Sequence, residues 1–458
     1  MSAAPAAAVS EAARVWADAA PAAGGDRSED SARFGRFWRE GQALLAPLPP
    51  KPRRGAGEAA TASFILAAAR AARERYLRRH ARALYDELTA GRTRFLRLDE
   101  LVQETARLVP GLAPARAELA AESALSQGEK DGHEIDHGLL VSAFLADPET
   151  GMHLCHAMLL PRAESPEHAR EFAVAGKLDL GAALVERRGR AVHVTMANPR
   201  FLNAEDDTTL DALEIAADVA TLDPASDIVI LRGGEVQHPK WRGRRVFSAG
   251  INLTHLYRGK IPFLWFLKRD MGVVNKFCRG VALADTSPDE LAGGTIEKPW
   301  VAAVDGFAIG GGCQILLAVD HVVAARDAYM TLPARKEGII PGAANLRLAR
   351  FTGERLARQA ILMERRLDCD SPEGRLICDS VVAPQDMDAE IDRMVASFTQ
   401  SGVVSAAGNR RALRVALEPF DLFRCYMAVY AREQAYCHFS PALIANLERN
   451  WNAAQRKE

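Results

Sequence analysis

Paired cysteines are missing from this sequence. Its seven cysteines, at positions 155, 278, 313, 369, 378, 425 and 437, are odd in number and far apart, and no C-x-x-C occurs. That pattern implies neither a disulfide framework nor a zinc ribbon, and it fits reduced thiols in the cytoplasm. An excess of charge is missing as well: 58 Lys and Arg face 59 Asp and Glu, a formal charge of −1. With no basic surplus to release counterions from a phosphate backbone, nucleic acid is not expected as a partner. Long apolar runs are also lacking. The most apolar window, Trp300 to Ala325, contains Asp305, Asp320, His321 and three adjacent glycines, too polar for a ~20-residue membrane span. The first residues are Ala-rich but carry no basic segment, and Glu11 and Asp18 interrupt them, so no export signal and no membrane partner are expected.

Cofactor signatures are scarce too. Gly306 with Gly310-Gly311-Gly312 does not make G-x-G-x-x-G, and there is no Walker A sequence. Phe247-Ser248-Ala249-Gly250 has Val246 where a nucleophile elbow needs glycine, which makes Ser248 a loop residue rather than a nucleophile. His133-Glu-Ile-Asp-His137 is a literal H-E-x-x-H, the spacing that sets two imidazoles on one helix face for zinc, with His153 or His156 as a third ligand. Asp131-Gly132 before it and Gly138 after it argue against the rigid helix such a site needs, so these histidines read as surface or domain-contact residues and no metal is expected.

What is present is 458 residues, 48% of them hydrophobic, enough for about two to three domains. Residues 1–58 are rich in Ala, Pro and Gly and end in PLPPKPRRGAGE, which reads as a mobile arm. Residues 59–179 read as a helical domain: Leu77, Ala81, Leu84 and Leu88 are spaced four, three and four, one face of a helix that Gly91 stops. Arg70, Arg73, Arg75, Arg78, Arg79 and Arg82 decorate that helix. They read as a solvated face, with an anionic ligand or a second subunit as the alternative. From 180 to 400 short β-runs alternate with helices, as in Ala191–Met196, a helix over 207–222, and the buried strand Ile228–Leu231. That alternation predicts a mostly parallel α/β domain. Residues 401–458 read as a helical tail, rich in aromatics, that packs on the core or on a neighbouring subunit.

Two glycine-bearing turns carry the chemistry. Phe247-Ser-Ala-Gly-Ile-Asn252 and Val304-Asp-Gly-Phe-Ala-Ile-Gly-Gly-Gly-Cys-Gln314 each lead into a helix, where unpaired backbone N–H groups can hold negative charge. Two such donors converging on one oxygen make an oxyanion hole. Taken alone, both are also ordinary helix-capping turns.

With Asn198-Pro-Arg-Phe-Leu-Asn-Ala204, Asp227-Ile-Val-Ile-Leu-Arg-Gly-Gly234 and Glu337-Gly-Ile-Ile-Pro-Gly342, these turns resemble the crotonase (enoyl-CoA hydratase/isomerase) superfamily, in order and spacing, over residues 180–400. The resemblance implies a spiral β-β-α core, a homotrimer or dimer of trimers, and an acyl-CoA substrate whose thioester enolate is stabilised. It implies that the oxyanion donors are the N–H groups of Ile251 and Gly311. The CoA groove would be lined by Arg200, Leu202, Ser248, Ala249, Gly250 and Asn252.

The sequence departs from the hydratases at both catalytic carboxylates: their two glutamates fall on Gln314 and Ala334 here. Neither an amide nor a methyl group can take and return a proton, so hydration is not expected. An aryl-acetyl thioester suits an oxyanion hole without those groups, because its enolate is conjugated with the ring and can pass one electron to O₂ without metal or flavin. Within the superfamily the pattern resembles a branch of cofactor-independent aryl-acetyl-CoA dioxygenases with a helical N-terminal domain. That likeness implies 3,5-dihydroxyphenylacetyl-CoA and O₂ as substrates and 3,5-dihydroxyphenylglyoxylate and CoA as products, with no cofactor. It points to Glu205 and Arg269 for the ring hydroxyls, Gln314 in the reaction chamber and His238 as a further substrate contact. A thioester hydrolase and a non-catalytic acyl-CoA scaffold are the competing readings.

Overall fold

The computed structural model describes residues 9–288, 291, 294–400 and 402–456. Its strands are β1 (Lys177–Asp179), β2 (Ala183–Arg188), β3 (Ala191–Met196), β4 (Ile228–Gly233), β5 (Val281–Ala282) and β6 (Thr295–Ile296). They continue with β7 (Trp300–Val304), β8 (Phe307–Ile309), β9 (His321–Ala325), β10 (Tyr329–Thr331), β11 (Leu367–Asp368) and β12 (Ser380–Val382). Among the described residues the large sheet runs β1-β2-β3-β4-β7-β9-β12 and a small one runs β11-β10-β8. The large sheet is antiparallel from β1 to β3 and parallel from β3 to β12. Its register aligns Val194, Leu231, Ala302 and Val322 across four strands. β7 is buried at every residue, as a parallel strand covered on both faces must be, which is why its sequence is an unbroken apolar run.

The spiral follows from where each strand pairs. β7 and β9 join the large sheet, while β8 and β10, which follow them after tight turns, pair with each other in the small one through Ala308 and Met330. Each β-β pair then enters a helix: Gly311–Leu316 after β8, Ala334–Glu337 after β10. This is the crotonase-type β-β-α core, and it carries a helical N-terminal part and a helical C-terminal end.

Over its described residues the N-terminal arm, expected from composition to be mobile, is built of helices. Helices Glu11–Asp18 and Arg27–Leu45 are capped by Ser10 and Asp26. Trp16 stacks on Phe37 with centroids 4.3 Å apart and donates from Nε1 to Phe37 O at 2.9 Å. Phe34 and Trp38 are buried against Tyr76 of the long Ala56–Leu88 helix. Four aromatic side chains thus anchor a segment whose average composition reads as disordered. Residues 1–8 of that arm lie outside the described residues.

The arginine stripe on the Ala56–Leu88 helix is only partly solvated. Arg73 is buried, donates to Gly111 O at 2.8 Å and pairs with Asp136 at 3.1 Å, and Arg82 pairs with Glu149 at 2.5 Å. Asp136 lies in the Ile135–Ala146 helix, which begins after His133 and Glu134. The H-E-x-x-H residues therefore do not share a helix face: Glu134 accepts from Phe263 N, and His137 is buried. The Phe420–His438 helix packs along Ile135–Ala146, joining the end of the chain to its helical N-terminal part. No helix among the described residues is long and apolar enough to cross a membrane.

Candidate active site

The two glycine turns meet. Ser248 bridges to Ala308 in parallel, so the turn after Phe247 runs alongside β8. Gly250, at φ 81°, lies so close to the second turn that a Cβ there would be 2.7 Å from Ile309 O and 3.2 Å from Gly311 N; only glycine allows the approach. Among the described residues neither Ile251 N–H nor Gly311 N–H donates a backbone hydrogen bond. Gly311 opens its helix, where orphan N–H groups are the rule. The pair is available to a ligand oxygen.

Side chains beneath the first turn fix its aim. Ser248 Oγ accepts from Gly250 N at 3.0 Å, and Asn252 Oδ1 accepts from Thr254 N and His255 N at 3.1 and 3.2 Å. Asn252 Nδ2 donates to Asp206 Oδ2 at 2.9 Å. Ser248 and Asn252 are buried, and their side chains hold the turn. Among the described residues the cluster with metal-ligand spacing is Asp206, Asp207 and His255. Asp206 is already taken by Asn198, Thr208 and Asn252, and His255 Nδ1 is 2.7 Å from Asp207 Oδ1, so the cluster anchors the loop that carries Glu205.

Arg269 sits at the start of a π turn, Arg269–Val274, inserted between helices Phe263–Lys268 and Asn275–Arg279. Such turns recur at functional sites because the extra residue redirects side chains. Arg269 is 3% exposed and spends all five guanidinium N–H donors inside the protein. Nε and Nη2 grip Glu205, the latter bond at 2.9 Å, and Nη2 also donates to Gly311 O at 2.9 Å. Nη1 donates to Asp270 Oδ1 at 2.9 Å and to Gln314 Oε1 at 2.7 Å. Burial would lower the guanidinium's pKa, but Glu205 and Asp270 outweigh it and raise it above its ordinary value. Arg269 therefore has no donor left for a substrate hydroxyl, whereas each Glu205 oxygen keeps acceptor capacity. Gly311 is glycine because a Cβ there would fall 2.6 Å from Glu205 Oε1 and 2.9 Å from Arg269 Nη2.

Ile251, Trp265, Arg269, Gly311, Gln314 and Ile339 line one pocket. Asp270, Ala334, Glu337 and Tyr430 also line it. Three members escaped the sequence reading. Asp270 is raised in pKa by burial, partly offset by Arg269, and is hydrogen-bonded to Tyr430, which arrives from the C-terminal helix. Glu337 is buried, and burial with nearby Glu364 pushes its carboxyl up to about 7. Its signal in the sequence is its place three residues after Ala334, one helical turn on. Tyr430, more than a hundred residues from the nearest glycine turn, has no local signal. His238 is exposed and accepts from Lys240 N at 3.3 Å through Nδ1; it does not line this pocket. Of the expected groove residues, Arg200 is exposed over Phe201, and Leu202 and Ala249 are half-buried against the small cluster of Val236, Val246 and Phe307.

Two glycine turns meeting on a β-β-α spiral define a crotonase-type enzyme fold. A sequence model of the enoyl-CoA hydratase/isomerase family matches residues 289–420. The chain is 49% identical over 393 residues to the (3,5-dihydroxyphenyl)acetyl-CoA 1,2-dioxygenase of Amycolatopsis orientalis, covering 86% of this chain and 89% of that one. It is 26% identical over 262 residues to a probable enoyl-CoA hydratase of Rhizobium meliloti, 55% of this chain and 90% of the other. The enoyl-CoA hydratase structure from Bacillus halodurans aligns at a TM-score of 0.49 and 18% identity, over 59% of this chain and 100% of that one. The chain belongs to the enoyl-CoA hydratase/isomerase (crotonase) family. Its likeness to the Amycolatopsis dioxygenase extends well beyond the share of the chain that the hydratases cover.

Proposed function

We propose that this chain is a cofactor-independent dioxygenase that converts 3,5-dihydroxyphenylacetyl-CoA and O₂ to 3,5-dihydroxyphenylglyoxylate and CoA. The observation that carries the reading is the Glu205 carboxylate beside the Gly311 oxyanion donor, so close that a methyl group at 311 would strike it. A thioester oxygen bound to Ile251 and Gly311 then lies next to an acceptor for a phenolic hydroxyl. The 49% identity to a dioxygenase of this substrate over 86% of the chain supports the same assignment.

In this reaction the α-carbon loses a proton to give an enolate whose oxygen charge the two N–H groups stabilise, worth ~3–4 kcal/mol per donor. The conjugated enolate passes one electron to O₂, and the radical pair joins as a peroxide. The peroxide attacks the thioester carbonyl, CoA thiolate leaves, and O–O cleavage gives the keto acid. Both oxygen atoms end in the product, and the two α-hydrogens leave as protons. No electron is left for a metal or flavin to supply. Free thiols suit a cytoplasmic setting, and the family likeness implies a trimer or dimer of trimers.

Chelator-treated protein should consume one O₂ per CoA released from 3,5-dihydroxyphenylacetyl-CoA and carry both atoms of ¹⁸O₂ into the glyoxylate. CoA release at full rate without oxygen would instead identify a thioester hydrolase, and activity returning only with added iron, copper or flavin would defeat the cofactor-free route.

A further inference from the structure

Enolate formation needs a group that accepts the α-proton, and positions 314 and 334, where the hydratase glutamates fall, hold Gln and Ala. Two carboxylates line the pocket, Asp270 and Glu337, and a third, Glu205, is held by Arg269 beside it; two of the three are committed. Glu205 is bound by both oxygens to Arg269, and Asp270 is bonded to Arg269 and Tyr430. Glu337 differs: it is only 6% exposed, and its side-chain carboxyl makes no hydrogen bond or ion pair with any described residue. An unpartnered carboxyl buried to this degree costs free energy, so its retention asks for a reason. Ala334 and Glu337 are the first and last residues of one short helix, three apart and therefore on the same face, and both line the pocket that Ile251 and Gly311 line.

We propose, resting on the dioxygenase reading above, that Glu337 is the catalytic base that removes the α-proton, its carboxylate reaching the substrate from one helical turn beyond Ala334. A Glu337 oxygen takes the proton, the C–H electron pair becomes the enolate C=C bond, and the carbonyl π pair moves to the oxygen held by Ile251 and Gly311. That proton departs with the CoA thiolate. After O₂ has added, the ionised carboxylate takes the second α-proton; the C–H pair becomes the keto C=O bond and the O–O pair stays on the carboxylate oxygen.

The surroundings suit a base working near neutrality. Burial and the like charge of Glu364, just past the Ala344–Leu362 helix, push the carboxyl up to about 7, with Lys336 partly opposing. The charged and titratable groups that line the pocket with it are Arg269 and Asp270, with Tyr430 from the Phe420–His438 helix, and Glu205 is bound to Arg269. The Pro441–Trp451 helix brings Leu443 and Asn446 against the adjacent Gly338. A group with a pKa close to the working pH is both ionised in useful amount and basic enough to act.

The test uses the purified full chain with 3,5-dihydroxyphenylacetyl-CoA, following O₂ uptake against pH for wild type, Glu337→Gln and Glu337→Asp. Glu337→Gln should lower kcat about 10²- to 10⁴-fold, the usual range for a lost general base, with KM changed less than about threefold. Wild-type kcat should fall as pH drops below about 7, where the base becomes protonated, and the residual rate of Glu337→Gln should lack that limb. Glu337→Asp should recover part of the loss. A Glu337→Gln kcat within about threefold of wild type, or the same acid limb in that variant, overturns the assignment while the dioxygenase reading stands. If wild type consumes no O₂ with this thioester, the function fails and the base with it. Should Glu337→Gln not fold, anaerobic incorporation of deuterium from D₂O at the α-carbon by wild type decides: an acid limb near 7 supports the base, and a flat profile overturns it.

Discussion

At the scale of single residues, Arg269 works by holding others. With all five donors spent on Glu205, Gln314, Asp270 and Gly311 O, it is a frame around the proposed oxyanion site rather than a hand extended to the substrate. The absence of a side chain at Gly311 is what lets this frame approach the oxyanion donors. Gly311→Ala keeps the N–H donor but drives a methyl group into the Glu205–Arg269 pair. Turnover should fall by about 10²-fold, the cost of a displacement near 1 Å in a reacting geometry, and steady-state O₂ uptake would show it. Turnover within twofold of wild type would mean that the pair does not need its present place. Ile251, Gly311 and Gln314 lie within the two glycine turns, whose spacing is local, whereas Glu205 and Arg269 could be named only through the family likeness. The side chains of Ser248 and Asn252 turn inward to hold the turn, which a motif cannot tell, since it marks position along the chain and not which way a side chain turns. Glu337 lies in the Glu337–Gly342 motif, but only its place one helical turn after Ala334 marks it as a pocket residue.

At the scale of elements, the π turn at Arg269–Val274 sets Arg269 and Asp270, adjacent in sequence, both toward the pocket. Asp270 then depends on a hydroxyl from the Phe420–His438 helix. Tyr430→Phe removes that donor and leaves a buried carboxyl short of a partner, which should destabilise the fold by about 1–3 kcal/mol. Equilibrium denaturation by urea measures it, and an unchanged midpoint would show that another group replaces the hydroxyl. The β-strands were readable because unbroken apolar runs and period-two alternation report burial directly. The helices over 11–45 were not, because an Ala-, Pro- and Gly-rich average conceals Trp16, Phe34, Phe37 and Trp38, and it is those four that pay for order.

At the scale of the whole molecule, one buried carboxylate ties the C-terminal helices to the core. Glu418, between helices Val403–Leu417 and Phe420–His438, receives both arms of Arg347 at 2.9 Å and Arg350 at 2.5 Å, while its carbonyl accepts from Arg279 at 2.6 Å. Burial alone would raise its pKa, but Arg347 and the other guanidinium groups hold it well below the ordinary carboxylate range. Glu418→Gln should cost about 3–5 kcal/mol at pH 7, since it strands buried positive charge. A depressed folded-state pKa gives stability that is full above the unfolded value of about 4.3 and is lost as pH falls through the folded one. The gap in Tm between wild type and variant should therefore narrow from pH 7 to about pH 3. A gap that does not change with pH would place the cost elsewhere.

Tyr430 also sets an order of events. Because a chain emerges from its N-terminal end during synthesis, the spiral and both glycine turns exist before the helix that closes the pocket has been made. A nascent protein can thus own an oxyanion hole and still lack its far wall. If the enolate forms only in the finished chamber, the cell is spared an oxygen-reactive carbanion in half-built copies, and a ribosome-stalled chain ending before residue 420 should bind the thioester without consuming O₂.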